Sequence, residues 1–489
     1  MKKNISIIGS GFSALAASCY LAKAGHQVTV FEKNESIGGR ARQFKADGFT
    51  FDMGPSWYWM PDVFERFFAD FGKKTTDYYE LVKLSPAYNV YYGMSDCVAI
   101  ADNLNDIEQT FESIEKGSGK HLRDFMAVAK SNYDIAIKDL VYRPGVSPLE
   151  LVTLETTIKL GQFFSTISKD VRKKFKNKKL IQILEFPVLF LGAKPSDTPS
   201  FYSFMNYADF GLGTWHPKTG MFDVVRAMEN LAIELGVNFK TNSNIQKIIV
   251  EDKIAKAIVV NGERIDSDIV LSGADYHHTE TLLDEKHRAY SEKYWNSRVF
   301  APSSLLFYVG FNKKIKNVSH HALFFDVDFE QHAKDIYDEP QWPAEPLFYA
   351  NFPSMTDKTA APEGMESGFF LIPLAPGIHD TEALRTEYFD KIINRFETIT
   401  QQKVKENIVY SKSFCKNDFV SEYNSYKGNA YGMANTLLQT AFLRPKLKSK
   451  KVQHLFFTGQ LTVPGPGVPP ALISGKLVSE LINKQLLES

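Results

Sequence analysis

The first 32 residues constrain this chain more than any other stretch. A short β-rich run at residues 4–8 (NISII) ends at Gly9-Ser10-Gly11-Phe12-Ser13-Ala14, a G-x-G-x-x-A sequence. A helical stretch over residues 15–24 is stopped by Gly25, and a second β-rich run at residues 27–31 ends on the acid Glu32. Strand, glycine turn, helix, strand and acid in one βαβ unit form a dinucleotide-binding fingerprint. Gly9 makes the tight turn, Gly11 brings backbone to a pyrophosphate without an intervening Cβ, and Ala14 keeps the helix against the sheet. The first helical turn, at Phe12 and Ser13, offers free amides and a dipole to the phosphates. Glu32, 23 residues after Gly9, is placed to accept hydrogen bonds from adenosine ribose hydroxyls, with Lys33 beside it. The pattern fits NAD and FAD equally.

The rest of the composition narrows the class. A chain of 489 residues exceeds a single ordinary core, so several domains are expected. Basic and acidic side chains balance at 57 each, which leaves no global field to hold nucleic acid. Cys19, Cys97 and Cys415 are scattered, without a disulfide framework, a zinc spacing or a CxxC pair, and fit a reducing cytoplasm. No metal is expected, since His277, His278, His320 and His321 come as pairs without a ligand pattern or an acid partner. The N-terminus lacks a secretory apolar region, and the longest apolar cluster, residues 186–193, is broken by Pro187 and Gly192. A soluble or peripheral protein at the inner face of the cell membrane is expected. Aromatic residues reach 13%, which fits either large aromatic cores or a cavity for a large apolar ligand.

Further blocks carry a family resemblance. Glu32 is followed by Gly38-Gly39-Arg40-Ala41-Arg42, and then by Gly48-Phe49-Thr50-Phe51-Asp52-Met53-Gly54-Pro55-Ser56. Near the far end, a strand into Gly459-Gln460 precedes a Pro/Gly-rich loop ending in Gly467-Val468-Pro469-Pro470 and a helix over about residues 471–486. Residues 424–445 (NSYKGNAYG, then QTAFLRP), Trp215 to Met221, and Ala274-Asp275 add weaker matches. This order resembles the FAD-dependent amine oxidase and phytoene desaturase superfamily, and within it the bacterial carotenoid desaturases.

That resemblance implies FAD as cofactor. Arg40 would approach the diphosphate, Gly54, Pro55 and Ser56 the flavin, and the helix N-terminus at Gly467, Val468 and Pro469 the pyrimidine edge. Many relatives place an acid after the strand glycine to grip a ribityl hydroxyl, whereas this chain has Gln460. The implied fold is α/β, with a discontinuous Rossmann-like FAD-binding domain at residues 1–75, 211–279 and 441–489. Residues 76–210 and 280–440 would form a mixed-sheet substrate domain with a helical cap. Strands are expected at residues 303–310 and 369–373, and at residues 237–250 and 265–275 as returns to the nucleotide domain. A helical period runs through residues 149–167.

The implied activity is desaturation of a C40 polyene of the phytoene-to-lycopene type, with oxygen or a quinone as electron acceptor. A 1'-hydroxycarotenoid 3,4-desaturase, a carotenoid isomerase and a non-catalytic lipid escort are the rival readings, and an amine oxidase is a further one. For catalysis, position alone singles out Asp275 and Arg143. Trp57-Tyr58-Trp59-Met60 are candidates for substrate contact. The basic run Lys169, Arg172, Lys173, Lys174, Lys176, Lys178 and Lys179 is a candidate for docking on an anionic membrane surface, with Leu160, Phe163, Phe164 and residues 186–190 as its apolar flank.

Overall fold

The computed structural model describes residues 2–488, and the side chains of Leu151, Leu154, Glu155, Leu160, Phe190 and Leu191 lie outside the described part. The membrane roles expected of Leu160 and Phe190 therefore lie outside the described residues.

Five parallel strands form the nucleotide sheet, in the order Leu455–Phe457, Ile269–Ser272, Asn4–Ile8, Gln27–Phe31, Asn238–Lys240. Parallel strands covered on both faces read as continuous apolar runs, as NISII, IVLS and LFF do. Their side chains alternate between two cores. Ile5, Ile7, Val28, Val30, Ile269, Leu271 and Phe456 pack toward the helices Phe12–Lys23 and Val468–Glu488. Ile8, Phe31, Val270, Leu455 and Phe457 pack toward a three-stranded antiparallel sheet with Ile248, Ala255 and Ile258.

That small sheet corrects part of the strand reading. Asn238–Lys240 does join the nucleotide sheet, but Ile245–Glu251 turns away at Asn242 and pairs with Ile254–Val260. Asp252 and Lys253, both at positive φ, make the hairpin turn that drives this pairing.

A seven-stranded mixed sheet forms the second layer system, in the order Ile408–Phe414, Ser303–Phe311, Glu366–Leu374, Phe348–Asn351, His321–Phe324, Tyr88–Gly93, Asp96–Ile100. One of its faces, through Leu305, Phe307, Val309 and Phe311, packs on the helix Glu382–Thr400. The other face presents Leu306, Tyr349, Phe369 and Leu371 to a large cavity. The helix Ser118–Lys138 reaches that cavity at Ala136 and Ile137, and the helix Leu104–Ile114 packs against it.

The helical period at residues 149–167 breaks into the short pieces Pro148–Leu151, Leu154–Ile158 and Leu160–Phe164, before Ile167–Lys174. Hydroxyl side chains interrupt it. Ser147, Thr153 and Thr166 accept from the amides of Leu149, Thr156 and Lys169, each restarting the helix. The C-terminal helix, in contrast, is longer than expected at both ends and runs Val468–Glu488.

A candidate flavin and substrate cavity

A cavity of about 870 Å³ runs between the two sheets to the helix Ser118–Lys138. One end is built by the N-terminal fingerprint. Gly9 takes φ +84°, and a Cβ added at Gly11 would meet nothing within 4 Å, so open space borders the turn. The helix Phe12–Lys23 has no side-chain cap, which leaves its first amides free toward that space. Glu32 is buried and held by the Ser10 amide at 3.0 Å, the Ser10 hydroxyl at 2.6 Å and the Asn34 amide at 3.0 Å. Three donors fix the carboxylate before any ribose arrives. Lys33 lines the same end and donates to the Ser421 carbonyl.

The second glycine pair folds onto the first, since a Cβ on Gly39 (φ +56°) would lie 3.2 Å from Gly11 Cα. Gly54 is pressed against Arg40, with only 2.3 Å between its hypothetical Cβ and the Arg40 carbonyl oxygen. Arg40 itself is buried. Its guanidinium donates to Ser425 Oγ at 3.0 Å and the Asn429 carbonyl at 3.3 Å. With the Gln460 amide turned to satisfy both its ends, its oxygen accepts from Arg40 at 3.0 and 3.1 Å and its nitrogen donates to the Tyr431 carbonyl. Arg40 Nε has no partner, and among the described residues no carboxylate is bonded to the guanidinium. Burial pushes its pKa down, opposed by the charge of Asp275. A desolvated cation with a spare donor at the wall of a cavity fits an anionic group such as a diphosphate.

The chain's far end closes this part of the site. Gly459 donates its amide to Ser474 Oγ at 3.0 Å, and a Cβ there would come 3.1 Å from Ser13 Oγ. Gly467, Val468 and Pro469 line the cavity where the last helix begins. Pro469 and Pro470 lack N–H groups, so the donors at that helix start narrow to the residues before them. Of the residues expected to touch cofactor, all line the cavity except Ala14. Ala14 sits behind the turn, its Cβ 2.8 Å from where a Gly273 Cβ would be, in the helix-to-sheet spacing role its size suggests.

The other end is apolar. Trp57, Trp59, Met60, Phe186, Phe325 and Phe369 line it, while Tyr58 turns into the core and bonds Tyr79. Polar side chains interrupt this lining, among them Ser56, Tyr202, Ser304, His332, Tyr337, Tyr349 and Tyr431. Ser304 and Tyr349 stand in no sequence motif. Tyr431 lies inside the quoted 424–445 block, where its role was not legible. The cavity opens between Phe163, Phe164, Leu437, Leu438 and Leu443, of which Phe164 is 75% and Leu438 74% exposed.

Both catalytic candidates have partners within the protein. Asp275 caps the helix Tyr276–Thr281 by accepting from the His278 amide at 3.2 Å, and accepts from the Tyr426 amide at 3.2 Å. Burial raises its pKa. Arg143, at the cavity's outer part, binds Asp139 and the Glu150 carbonyl. One histidine expectation is corrected: His277 does have an acid partner, Glu292, at 2.9 Å, because the chain between them folds back after the helix Tyr276–Thr281.

Among the described residues three of the seven side chains of the basic run are ion-paired. Arg172 pairs with Glu185 and Glu330, Lys173 with Asp170, and Lys179 with Asp96.

A Rossmann-like sheet whose glycine turn, acid and buried arginine open onto a long apolar chamber defines an FAD-dependent oxidoreductase. The pattern of the flavin containing amine oxidoreductases matches residues 12–483, and the chain belongs to that family. It is 39% identical over 488 residues to a carotenoid 3,4-desaturase of Haloarcula japonica, covering 99% of each chain. It is 33% identical over 498 residues to a 4,4'-diapophytoene desaturase (4,4'-diaponeurosporene-forming) of Staphylococcus haemolyticus, again covering 99% of each. Within the family it groups with these carotenoid desaturases. A putrescine oxidase variant shares the fold, with a TM-score of 0.63, 12% identity and 99% of each chain covered.

Proposed function

We propose that this protein introduces double bonds into a linear C40 carotenoid. The observation that carries this reading is the single continuous cavity from the Gly9–Gly11 turn to an aromatic chamber with an apolar mouth. The full-length 39% identity to a carotenoid 3,4-desaturase favours the 3,4 position over the phytoene-to-lycopene series.

In this reading residues 1–75, 211–279 and 441–489 hold FAD, and residues 76–210 and 280–440 hold the substrate. Glu32 and Lys33 take the adenosine. Gly9, Gly11, Phe12, Ser13, Gly38, Gly39, Arg40 and Ala41 take the diphosphate. Gly54, Pro55, Ser56, Gly459, Gln460, Gly467, Val468 and Pro469 surround the flavin. Bound FAD supplies a hydride acceptor. The protein's own residues position the polyene and keep water out, with the aromatic walls supplying most of the contact area. Asp275 and Arg143 act as structural supports of the cavity wall, consistent with their internal partners.

The electrons pass on to oxygen or a quinone. Among the described residues no helix is long and apolar enough to cross a membrane. The exposed apolar rim at the mouth, with Val146, Leu149, Val152 and Ile158 beside it, supports peripheral contact with a bilayer through which the substrate arrives. A lipid escort needs no buried guanidinium aimed at phosphates, so Arg40 favours the enzyme.

Expression in bacterial hosts that accumulate phytoene, lycopene or a 1'-hydroxylated carotenoid tests the reading. Pigment with a longer chromophore in the lycopene or hydroxylated host, and unchanged phytoene in the first, supports 3,4-desaturation. Conversion of phytoene alone reassigns the position, and no conversion in any host by FAD-loaded protein overturns the proposal.

A further inference from the structure

Each desaturation strips a hydride and a proton from neighbouring carbons, and an apolar chamber offers that proton no carrier. One set of polar side chains leads out of it. Ser56 and Tyr349 line the cavity with hydroxyls 2.9 Å apart. Tyr349 Oη lies 2.7 Å from His321 Nδ1. Asn351 Nδ2 approaches the same nitrogen at 3.2 Å and donates to the His320 carbonyl at 3.0 Å, which fixes its amide. An amide nitrogen only donates, so His321 Nδ1 is an acceptor and its proton sits on Nε2. The Tyr349 hydroxyl therefore donates to His321.

Trp57 lies flat on the His321 ring, with centroids 4.0 Å apart and planes 11° apart. That stack fixes the plane of the imidazole. The rings of His320 and His216 continue the series, His321 to His320 at 4.6 Å and His320 to His216 at 4.4 Å. All three are buried, and His321 Nε2, His320 Nε2 and both nitrogens of His216 lack a hydrogen-bond partner, as does Ser367 Oγ. Beside His216 is a small pocket of about 20 Å³ lined by His216, Asp52, Ser367, Asn351 and Ser56. A polar void of that size takes about one water. His320 Nδ1 lies 2.9 Å from Thr356 Oγ1, which is partly exposed. Among the described residues these histidines form no group able to hold a metal.

We propose that Tyr349 takes the proton the substrate loses, and that His321 and then His320 pass it to Thr356 and solvent, with His216 flanking the chain. This rests on the desaturase reading above. The C–H bond breaks and its electron pair becomes the new π bond as the adjacent carbon gives hydride to bound FAD. Tyr349 Oη gains that proton while its own goes to His321 Nδ1, and His321 releases one from Nε2. Tyr349 and His321 end neutral, and a tautomer exchange resets the imidazole between turnovers. Burial holds His320 and His321 well below the usual imidazole range, so both rest neutral and accept only from a strong acid, which a polyene cation is.

Two measurements decide it. In ¹⁵N-histidine spectra of the whole protein, His321 shows an unprotonated Nδ1 whose signal moves in Tyr349→Phe; a proton on Nδ1 overturns the relay. In the holoenzyme, Tyr349→Phe keeps flavin content and KM and loses kcat by about tenfold or more; wild-type kcat overturns it. A protein that converts no carotenoid in any host fails the desaturase reading, whereas a working desaturase with an unaffected Tyr349→Phe variant fails only the relay.

Discussion

Gly475 lies against Ser13 so closely that a Cβ at the glycine would sit 2.5 Å from the Ser13 carbonyl oxygen. Residues near opposite ends of the chain thus pack backbone to backbone, and Ser479 donates to the Ala17 carbonyl one turn further on. This contact is what lets the fingerprint turn and the Gly459–Pro469 segment wall the same cavity.

Because the nearest atoms at Gly475 are backbone of Ser13 and Ala17 and the Cβ of Ala16, little can give way. Gly475→Val is expected to cost about 1–3 kcal/mol from overpacking. It should also lower flavin content by prising the two helices apart. A thermal melt and the absorbance of purified protein check this; wild-type Tm and flavin content would show the helices tolerate separation.

Arg40→Ala separates two roles of one buried cation. Loss of charge-assisted bonds worth about 1.5–3 kcal/mol predicts roughly tenfold to hundredfold weaker FAD binding in a fluorescence titration of apoprotein. The apoprotein itself should melt no lower than wild type, because a desolvated guanidinium without a bonded carboxylate has been removed.

Asp52 predicts a pH effect on the apoprotein. Its carboxylate accepts from the Met221 amide at 2.6 Å and from Gln43 at 3.0 Å, joining two motif blocks. Burial raises its pKa from 3.8 to about 6. A carboxyl whose folded pKa is raised contributes stability below pH 3.8 that is lost as pH rises toward 6 and stays lost above it. The loss is ~3 kcal/mol from a shift of this size. Asp52→Asn should flatten that fall in urea melts between pH 4 and 6.5; an unchanged slope would assign the effect to other groups.

The nucleotide half of the site was legible because its chemistry is local. Gly9, Gly11, Glu32 and Arg40 sit at backbone turns and short spacings that a sequence displays directly, and the fold brings them to one cavity. Gln460 was legible in place but not in role, since only the fold shows it turned to Arg40 and Tyr431. The Ser56–Tyr349–His321 group was not legible at all. Its members lie 293 and 28 residues apart and meet only because the strand His321–Phe324 pairs with Phe348–Asn351 in the second sheet. The surface charge was legible as a run but not in its pairing. The basic residues at 169–179 form a strong linear signal, yet Arg172 and Lys179 are paired with Glu185, Glu330 and Asp96 from elsewhere in the chain.

That difference yields a prediction about membranes. Phe164 and Leu438 are exposed apolar side chains from different segments, brought together at the cavity opening. Burying a large aliphatic or aromatic side chain in lipid is worth about 1.5–3 kcal/mol, whereas a basic residue near an anionic surface contributes ~1 kcal/mol and less when it is already ion-paired. Phe164→Asp with Leu438→Asp should therefore weaken flotation with anionic liposomes by at least about tenfold. Neutralising Lys169, Lys173 and Lys174 together should change it by a smaller factor, and that factor should vanish in neutral liposomes while the apolar effect persists. If the lysine variant loses binding and the aspartate variant keeps it, the docking face is the basic run and the cavity mouth points away from the bilayer.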